Sequence, residues 1–317
     1  MGDGPATDVA IEVRELAVNF HGVEALRGID LQVYRGEIFG VVGTNGAGKS
    51  TLIDALSGMV RPTSGSIRVL GRDPIRQSGE LRRVTGVVPQ EVSLEDKLTG
   101  LENVLYFGRL LDVPGDELHD RAEETVRFMG LWERRNDRLE SYSVGMKRKI
   151  HFACSLIHRP ELLLVDEAAA GFDPVIREDV SRLIFNMARE EGITVVLTTH
   201  DLSDARDMCD RLAVLHRGEI VSMGSWDDIS SVAGAGLFLG GVEPGVEEKL
   251  RDLVPPDSVT RVLGGYRVSV GSLQEALELA KLLDKNGLGA STISYGIPPE
   301  DVFRELTRGG EGDSTVV

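Results

Sequence analysis

The sequence predicts an α/β fold built on a parallel sheet. Three short apolar runs, IFGVV (Ile38–Val42), LLLVD (Leu162–Asp166) and ITVVLTT (Ile193–Thr199), are typical of strands buried on both faces. Helical patterns separate these runs, and strands that alternate with helices favour parallel pairing. Between the last two runs, apolar residues recur at helical spacing and predict one buried helix face: Ile176, Val180, Leu183, Ile184 and Met187.

Two other regions differ from this pattern. Residues 91–160 show helical patterns with few strands, which predicts a helical subdomain inserted into the sheet domain. Near Trp226 the pattern changes again, and a Gly/Ser-rich stretch leads into a small α+β domain, so we place the boundary between residues 1–224 and 225–317. The elements expected there are helix Glu247–Leu253, strands Ser258–Leu263 and Tyr266–Val270, helix Leu273–Leu283, strand Ala290–Tyr295 and helix Pro299–Leu306.

Composition excludes several classes of function. The 317 residues carry a formal net charge of −16, which opposes nucleic acid or anionic lipid as the main partner. The longest uncharged stretch, Ile229–Val242, is shorter than the ~18–20 apolar residues of a membrane span. The start, MGDGPATD, lacks a signal-peptide pattern. Cys154 and Cys209 lie on predicted helices and are expected to be reduced core thiols, as in a reducing cytosol. Any work at a membrane therefore needs a partner.

The strand Ile38–Val42 leads into GTNGAGKST (Gly43–Thr51) and then into a helical pattern. This is G-x-x-x-x-G-K-[ST] in the strand–loop–helix context that a phosphate loop requires. Its glycines allow the backbone N–H groups to point inward at a helix N-terminus, where anions bind. The predicted nucleotide contacts in the loop are Gly43, Asn45, Gly46, Gly48, Lys49, Ser50 and Thr51.

Three of these residues have distinct predicted roles. Lys49 neutralises β- and γ-phosphate charge, the Ser50 hydroxyl ligates Mg²⁺, and Thr51 contacts the α-phosphate. Downstream, LLLVDE places Asp166 at a strand end with Glu167 beside it. An acid there holds Mg²⁺, and its neighbour polarises the attacking water. A DE pair is also common at solvated strand ends, but a chain with a phosphate loop favours the catalytic interpretation.

The order GTNGAGKST, VVPQ, YSVGMKRK, LLLVDEAAAGFDP and VLTTHD resembles the motif series of ABC transporter ATPases over roughly residues 10–224. The resemblance implies that Gln90 joins the Mg²⁺ shell and senses the membrane partner. It implies that His200 contacts the γ-phosphate and that Asp173 links two active sites across a dimer. Phe20 occupies the place of an aromatic that stacks on adenine, although an aromatic near a strand end is as often a core residue.

The segment YSVGM occupies the family's signature position. The resemblance implies that Ser143 and Gly145 cap the γ-phosphate bound by the opposite subunit, so that two ATP molecules join a head-to-tail dimer. The sequence departs from the usual pattern at three positions. Val144 replaces the first signature glycine, Ala168 replaces the proline after the catalytic glutamate, and Phe172 replaces a leucine. None of these changes removes a catalytic group.

The end of the chain indicates a branch of this family. PPEDVFRELT (Pro298–Thr307) resembles the end of the accessory domain in daunorubicin-exporter-like ATPases, and Met208–Gly224 resembles the hairpin that precedes it. Residues 225–317 carry 8 basic and 15 acidic residues, a net of −7, so packing on a twin or regulating the motor is favoured over binding anionic lipid.

The resemblance implies an ATP-hydrolysing, Mg²⁺-dependent subunit of an exporter at the cytoplasmic face of the membrane. Its expected partners are a transmembrane permease, which chooses the substrate, and a second ATPase subunit, identical or different. A coupling helix of the permease is expected near the Gln90 loop and Glu91–Phe107. An importer ATPase and a non-transport ABC ATPase are the alternatives.

Overall fold

The computed structural model describes residues 9–91, 94–167, 174–232, 236–242, 246–255, 258–262, 265–270, 273–286, 290, 292–295, 302–303 and 306–307. The chain divides into two compact units, Met1–Val221 and Ser222–Val317. In chain order, the first nine strands are β1 (Val9–Phe20), β2 (Val23–Tyr34), β3 (Ile38–Val42), β4 (Ser64–Val69), β5 (Thr85–Val88), β6 (Leu162–Val165), β7 (Thr194–Thr199), β8 (Arg211–His216) and β9 (Glu219–Gly224).

A six-stranded sheet has the order β5-β6-β7-β3-β8-β9. Each neighbouring pair from β5 to β8 is parallel, and β3, β6 and most of β7 are buried, as the apolar runs predicted. The predicted α/β fold is confirmed. A second sheet, with the order β2-β1-β4, is antiparallel. This second sheet was not predicted from the sequence.

Seven helices of the first unit are α1 (Lys49–Ser57), α2 (Ser78–Arg82), α3 (Gly100–Leu110), α4 (Leu118–Phe128), α5 (Val144–Leu156), α6 (Pro174–Arg189) and α7 (Leu202–Met208). Helices α3 to α5 occupy the region predicted to be helical, and a capping box formed by Thr99 and Glu102 starts α3. Val180, Ile184 and Met187 of α6 are buried, as predicted. Leu183 is half-buried, whereas the side chain of Ile176 lies outside the described residues.

The two cysteines differ in their settings. Cys154 is buried within α5, whereas Cys209 is half-buried and follows the last residue of α7, so its prediction as a helical residue was wrong. Both thiols are free, and burial raises the pKa of each.

The second unit contains α8 (Trp226–Val232), β10 (Gly236–Gly240), α9 (Val246–Leu253), β11 (Val259–Val262), β12 (Gly265–Ser269), α10 (Leu273–Lys285) and β13 (Thr292–Tyr295). Its antiparallel sheet has the order β11-β12-β10-β13 around a core that includes Leu237, Leu250 and Val268. The Gly/Ser-rich stretch, in which no element was predicted, contains helix α8 and the inner strand β10, whose segment GLFLG buries its leucines. The predicted helix Pro299–Leu306 lies mostly outside the described residues. Among the described helices, none is long and apolar enough to span a membrane.

Candidate nucleotide site

The loop between β3 and α1 lies at the edge where the parallel strands end. The N–H of Gly43 donates to the carbonyl of Thr199 at 3.3 Å, which joins the loop to the end of β7. The carboxyl ends of β5, β6 and β7 place Gln90, Glu167 and His200 at the same edge. This edge is where open α/β sheets bind ligands.

Two glycines show why the loop requires this residue type. A Cβ on Gly43 would lie 2.4 Å from the carbonyl oxygen of Leu215. Gly48 has a φ of 110°, and its Cβ would lie 2.6 Å from the carbonyl oxygen of Ala25. Both positions therefore exclude side chains, and the left-handed φ at Gly48 turns the chain directly into α1. The resulting cradle fits an anion at the N-terminus of α1.

Lys49 is the buried cation of the loop. Its side chain is 5% exposed, and its Nζ donates to the carbonyls of Gly43 (2.9 Å) and Thr44 (3.2 Å). The same Nζ lies 3.1 Å from Oε1 of Glu167, whose side chain is 10% exposed. The predicted phosphate ligand and the predicted base are thus in direct contact.

Gln90 and His200 are both close to the Glu167 carboxylate. The amide Nε2 of Gln90 donates to Oε2 of Glu167 at 3.3 Å, and Nδ1 of His200 is 3.9 Å from Oε1. The His200 side chain is 54% exposed, so it remains accessible at the mouth of the site. The structure brings together Lys49, Gln90, Glu167 and His200, four residues predicted from separate motifs.

The peptide unit joining Asp166 to Glu167 is held from both sides. The Glu167 N–H donates to Oγ1 of Thr198 at 3.0 Å, and the Thr198 hydroxyl donates to Oδ1 of Asp166. The Asp166 carbonyl accepts from Nη2 of Arg148 at 3.3 Å. Glu167 has a φ of 46°, a left-handed conformation that costs energy in a residue with a Cβ. These hydrogen bonds stabilise that conformation.

The roles of Thr198 and Arg148 were not predicted from the sequence. Thr198 was part of the TTHD motif, but its hydroxyl reaches Asp166 only because β6 and β7 are neighbours. Burial, together with the charge of Asp166, raises the pKa of Asp54 in α1. Arg148 was assigned only to a basic run, and a helical-wheel reading of that run would have separated it from its neighbours.

The available donors fit Mg²⁺ bound together with a nucleotide. Asp166 is buried and offers a carboxylate, Ser50 is exposed at the start of α1, and Gln90 offers an amide oxygen. These are hard oxygen donors, and Mg²⁺ is commonly held by one or two carboxylates, phosphate oxygens and water. Within the described ranges, no group of three or more His, Cys, Asp or Glu side chains is placed to hold a metal without a nucleotide.

The remaining predicted contacts occupy several places. Asn45 is exposed in the loop and Thr51 is half-buried in α1. Phe20 is 44% exposed at the end of β1, where it pairs with Val23, two residues before Ala25. A ring that packs in a core is normally buried, so the exposure of Phe20 favours the role of a stacking platform.

The signature residues lie at the start of α5. The Ser143 Oγ accepts from the N–H of Met146 at 3.2 Å, and Gly145 is buried. In the part of the chain that the structure describes, no hydrogen bond or ion pair joins Ser143 to the phosphate loop. Asp173, with Ala168 and Phe172, lies outside the described residues.

The fold and this edge define a phosphate-loop nucleotide-binding protein. The family model for ABC transporter matches residues 26–170. A relative along nearly the whole chain is the daunorubicin resistance ATP-binding protein DrrA3 of Streptomyces coeruleorubidus, 36% identical over 95% of this chain and 96% of the relative. The chain therefore belongs to the ABC transporter ATP-binding proteins, which bind ATP, generally hydrolyse it and work with transmembrane permeases.

Other relatives match a shorter part. The linearmycin resistance ATP-binding protein LnrL of Bacillus subtilis (strain 168) is 35% identical over 74% of this chain and 76% of its own. The methionine import ATP-binding protein MetN 2 of Enterococcus faecalis (strain ATCC 700802 / V583) is 36% identical over 69% of this chain and 66% of its own.

Solved structures agree with the fold. The chain resembles cbiO1 from Clostridium perfringens, part of the ABC transporter complex cbiONQ, with a TM-score of 0.66 and 28% identity over 78% of this chain and 96% of that one. It also resembles the dimeric cassette MJ0796 bound to ADP and Pi, with a TM-score of 0.60 and 26% identity over 68% of this chain and 98% of that one.

Proposed function

We propose that this chain hydrolyses ATP and thereby drives export through a separate membrane protein. The observation that carries the proposal is the position of the Glu167 carboxylate, which contacts Lys49 of the phosphate loop and Gln90. A carboxylate next to the phosphate-binding ammonium is placed to accept a proton from water attacking the γ-phosphate. The strained backbone at Glu167 and its two supporting hydrogen bonds give that carboxylate a defined position.

The residues around Glu167 have distinct chemical roles in this proposal. Lys49 neutralises charge on the β- and γ-phosphates, while His200 donates to the γ-phosphate from the mouth of the site. Asp166, Ser50 and Gln90 hold Mg²⁺, which supplies charge neutralisation when bound. The other loop residues, Gly43, Asn45, Gly46, Gly48 and Thr51, contact the phosphates, and Phe20 stacks on adenine.

The proposal includes a head-to-tail dimer. Ser143 is exposed at the N-terminus of α5, and Gly145 is buried in the first turn of that helix. In this proposal they complete the ATP site of a second subunit, with Asp173 linking the two sites. The similar cassette MJ0796, whose structure is dimeric and bound to ADP and Pi, supports the formation of a dimer. The second subunit is either a copy of this chain or another ATPase subunit.

The extent of the matches favours export over import. The daunorubicin resistance relative is similar over 95% of this chain, whereas the methionine import relative covers 69%. The similarity to the resistance protein therefore includes the C-terminal region, predicted as an accessory domain over residues 225–317. We propose a permease partner that docks near Gln90 and residues 91–107 and places the chain at the cytoplasmic face of the membrane.

Phosphate release by the Glu167→Gln variant tests the hydrolytic role. We expect a loss of about 10²- to 10⁴-fold in kcat with ATP binding retained, because a general base contributes that much. The variant should also accumulate an ATP-bound dimer on size-exclusion chromatography. Glu161→Gln is the matched control, since Glu161 precedes β6 at its opposite end and pairs with Arg35. Turnover of Glu167→Gln close to wild type would contradict the assignment.

A mixture of Ser143→Arg and Lys49→Ala chains tests the dimer. Each variant damages a different half of a shared site, so a heterodimer has one site with both defects and one with neither. Partial recovery of phosphate release on mixing is the expected result. If the mixture stays inactive, a disulfide between cysteines introduced at Ser143 and Gly46 of different subunits decides the geometry, and its absence would contradict the head-to-tail dimer.

The direction of substrate transport can be tested in two steps. The permease is first copurified with this chain from membranes, and transport is then measured in vesicles that contain both. Export predicts that ATP at the face carrying this chain moves substrate away from that face, and that Glu167→Gln abolishes the movement. Movement toward that face would favour an importer. Purification without a membrane protein would favour a non-transport ATPase.

A further inference from the structure

Arg148 is buried at the junction of three functional segments. It lies in the second turn of α5, five residues after Ser143, which corresponds to about 7.5 Å along the helix axis. Its side chain is 2% exposed, although arginine is rarely buried completely. Burial lowers the pKa of Arg148 to about 10, and the charge of Asp166 opposes that shift. The residue remains a cation at neutral pH.

The guanidinium donates to backbone carbonyls on two sides of the site. Nη1 donates to the carbonyls of Pro89 (2.7 Å) and Gln90 (3.1 Å), while Nη2 donates to the carbonyl of Asp166 (3.3 Å). One planar group thus fixes the loop that carries the Gln90 amide and the peptide that carries the Glu167 side chain. A lysine ammonium has no such fork and cannot reproduce this geometry.

The two neighbouring basic residues behave differently. Lys147 pairs with Asp96 and Lys149 pairs with Asp179, both at partly exposed positions. Successive helical residues point about 100° apart, so only the middle residue of the run reaches the interior. The chain therefore supplies matched controls of similar charge on the same helical turn.

We propose that Arg148 is a positioning residue that joins the signature helix to the metal- and water-binding end of the ATP site. This inference rests on the proposed ATP hydrolysis. A shift of α5 at Ser143 would reach Gln90 and Glu167 through this one side chain. Arg148 itself touches neither nucleotide nor water in this role; it sets where the Gln90 amide and the Asp166 and Glu167 carboxylates lie.

The test compares Arg148→Lys with Lys147→Met and Lys149→Met in the full chain. For Arg148→Lys we expect kcat to fall at least tenfold, the KM for ATP to stay within twofold, and the Mg²⁺ concentration for half-maximal activity to rise at least threefold. The two controls should keep all three values within twofold. Loss of folding alone would scale kcat with the active fraction and leave the Mg²⁺ dependence unchanged.

A cycle with Gln90→Ala gives the second readout. If Arg148 acts through the Gln90 loop, the double variant loses less kcat than the product of the two single losses. Arg148→Gln, which keeps two donors without the charge, replaces Arg148→Lys if the latter does not fold. Wild-type kcat and Mg²⁺ dependence in the folded variant, or multiplicative losses in the cycle, would overturn the inference. If Lys49→Ala hydrolysed ATP as fast as the wild type, the proposed function would be overturned instead.

Discussion

The ATP-site edge of the first unit and the core of the second unit use polar residues in opposite ways. At the edge, Lys49, Arg148, Asp166 and Thr198 are all buried, and each contacts another functional group or its backbone. In the described part of the second unit, Arg267 is the buried charged residue, and the core is made of leucine, valine and alanine side chains.

This difference separates residues that stabilise a fold from residues that are held for chemistry. Burying a charge costs free energy unless hydrogen bonds compensate, so a concentration of buried charges needs a functional reason. The first unit also holds Glu167 in a left-handed backbone conformation at the same place. The second unit follows the simpler rule that apolar side chains pair across an antiparallel sheet. Variants in the two regions should therefore change different measured quantities.

Lys49→Ala should produce the largest change in nucleotide affinity. The ammonium is the buried cation of the phosphate loop, and a hydrogen bond to a charged group contributes about 1.5–3 kcal/mol. We expect ATP affinity to fall roughly 10- to 100-fold by equilibrium binding of a fluorescent ATP analogue. The exposed Lys97 provides the control substitution. Unchanged affinity in Lys49→Ala would remove the phosphate-loop assignment.

We expect Glu167 to compete with a bound phosphate for the Lys49 ammonium. Glu167→Gln removes a negative charge 3.1 Å from Lys49 Nζ, and we expect its ATP affinity to equal or exceed that of the wild type. The same binding assay measures this effect. A lower affinity in Glu167→Gln would mean that the carboxylate supports the loop rather than competing with phosphate.

Thr198→Val should change turnover more than binding. The variant keeps the shape of the side chain but removes the hydroxyl that accepts from the Glu167 N–H and donates to Asp166. We expect kcat to fall roughly tenfold, because one lost hydrogen bond to a charged group is worth about 1.5 kcal/mol, with the KM for ATP unchanged. Thr198→Ser should restore most of the rate, since it returns the hydroxyl. An equal loss in both variants would assign the effect to the methyl group.

The fold was easier to predict than the residues that position the ATP-site side chains. The buried strands and the phosphate loop follow from local patterns, because their residues are adjacent in the chain. The role of Thr198 depends on the pairing of β6 with β7, which one sequence does not specify. Strand β10 was missed because its flanking glycines look like a linker, although its leucines are buried in the sheet. Arg148 was hidden in a run of three basic residues.

His151, on the same helix as Arg148, should make the stability of the fold sensitive to acid. Burial, with a contribution from the charge of Arg148, lowers the pKa of His151 to about 4, below its ordinary value near 6.5. Between these values the unfolded chain binds a proton that the folded chain does not, so stability falls as the pH falls through this window. The loss approaches about 1.4 kcal/mol per pH unit, on the order of 3 kcal/mol in total.

Urea unfolding at pH 7 and pH 5 measures this effect. His151→Leu should show a smaller decrease in the free energy of unfolding between the two pH values than the wild type. His119 is exposed on α4, and His119→Leu is the control that should keep the wild-type decrease. Burial also lowers the pKa of His158, so some acid sensitivity remains in His151→Leu. Equal decreases in wild type and His151→Leu would contradict the prediction.

The smallest expected effect on ATP comes from the second unit. Leu250 of α9 is completely buried in the core of that unit, and Leu250→Ala should cost about 2–5 kcal/mol of its stability. Every ATP-site contact described above lies within residues 1–221, so ATP affinity should stay within twofold. Leu277→Ala on α10 removes a 54% exposed side chain and should change neither quantity. If Leu250→Ala weakened ATP binding tenfold while Leu277→Ala did not, the second unit would be supporting the site, and the division of roles between the two regions would fail. If Leu250→Ala lowered the stability of the second unit and left ATP affinity unchanged, the second unit would contribute to folding and not to ATP binding, as the difference between the two regions predicts.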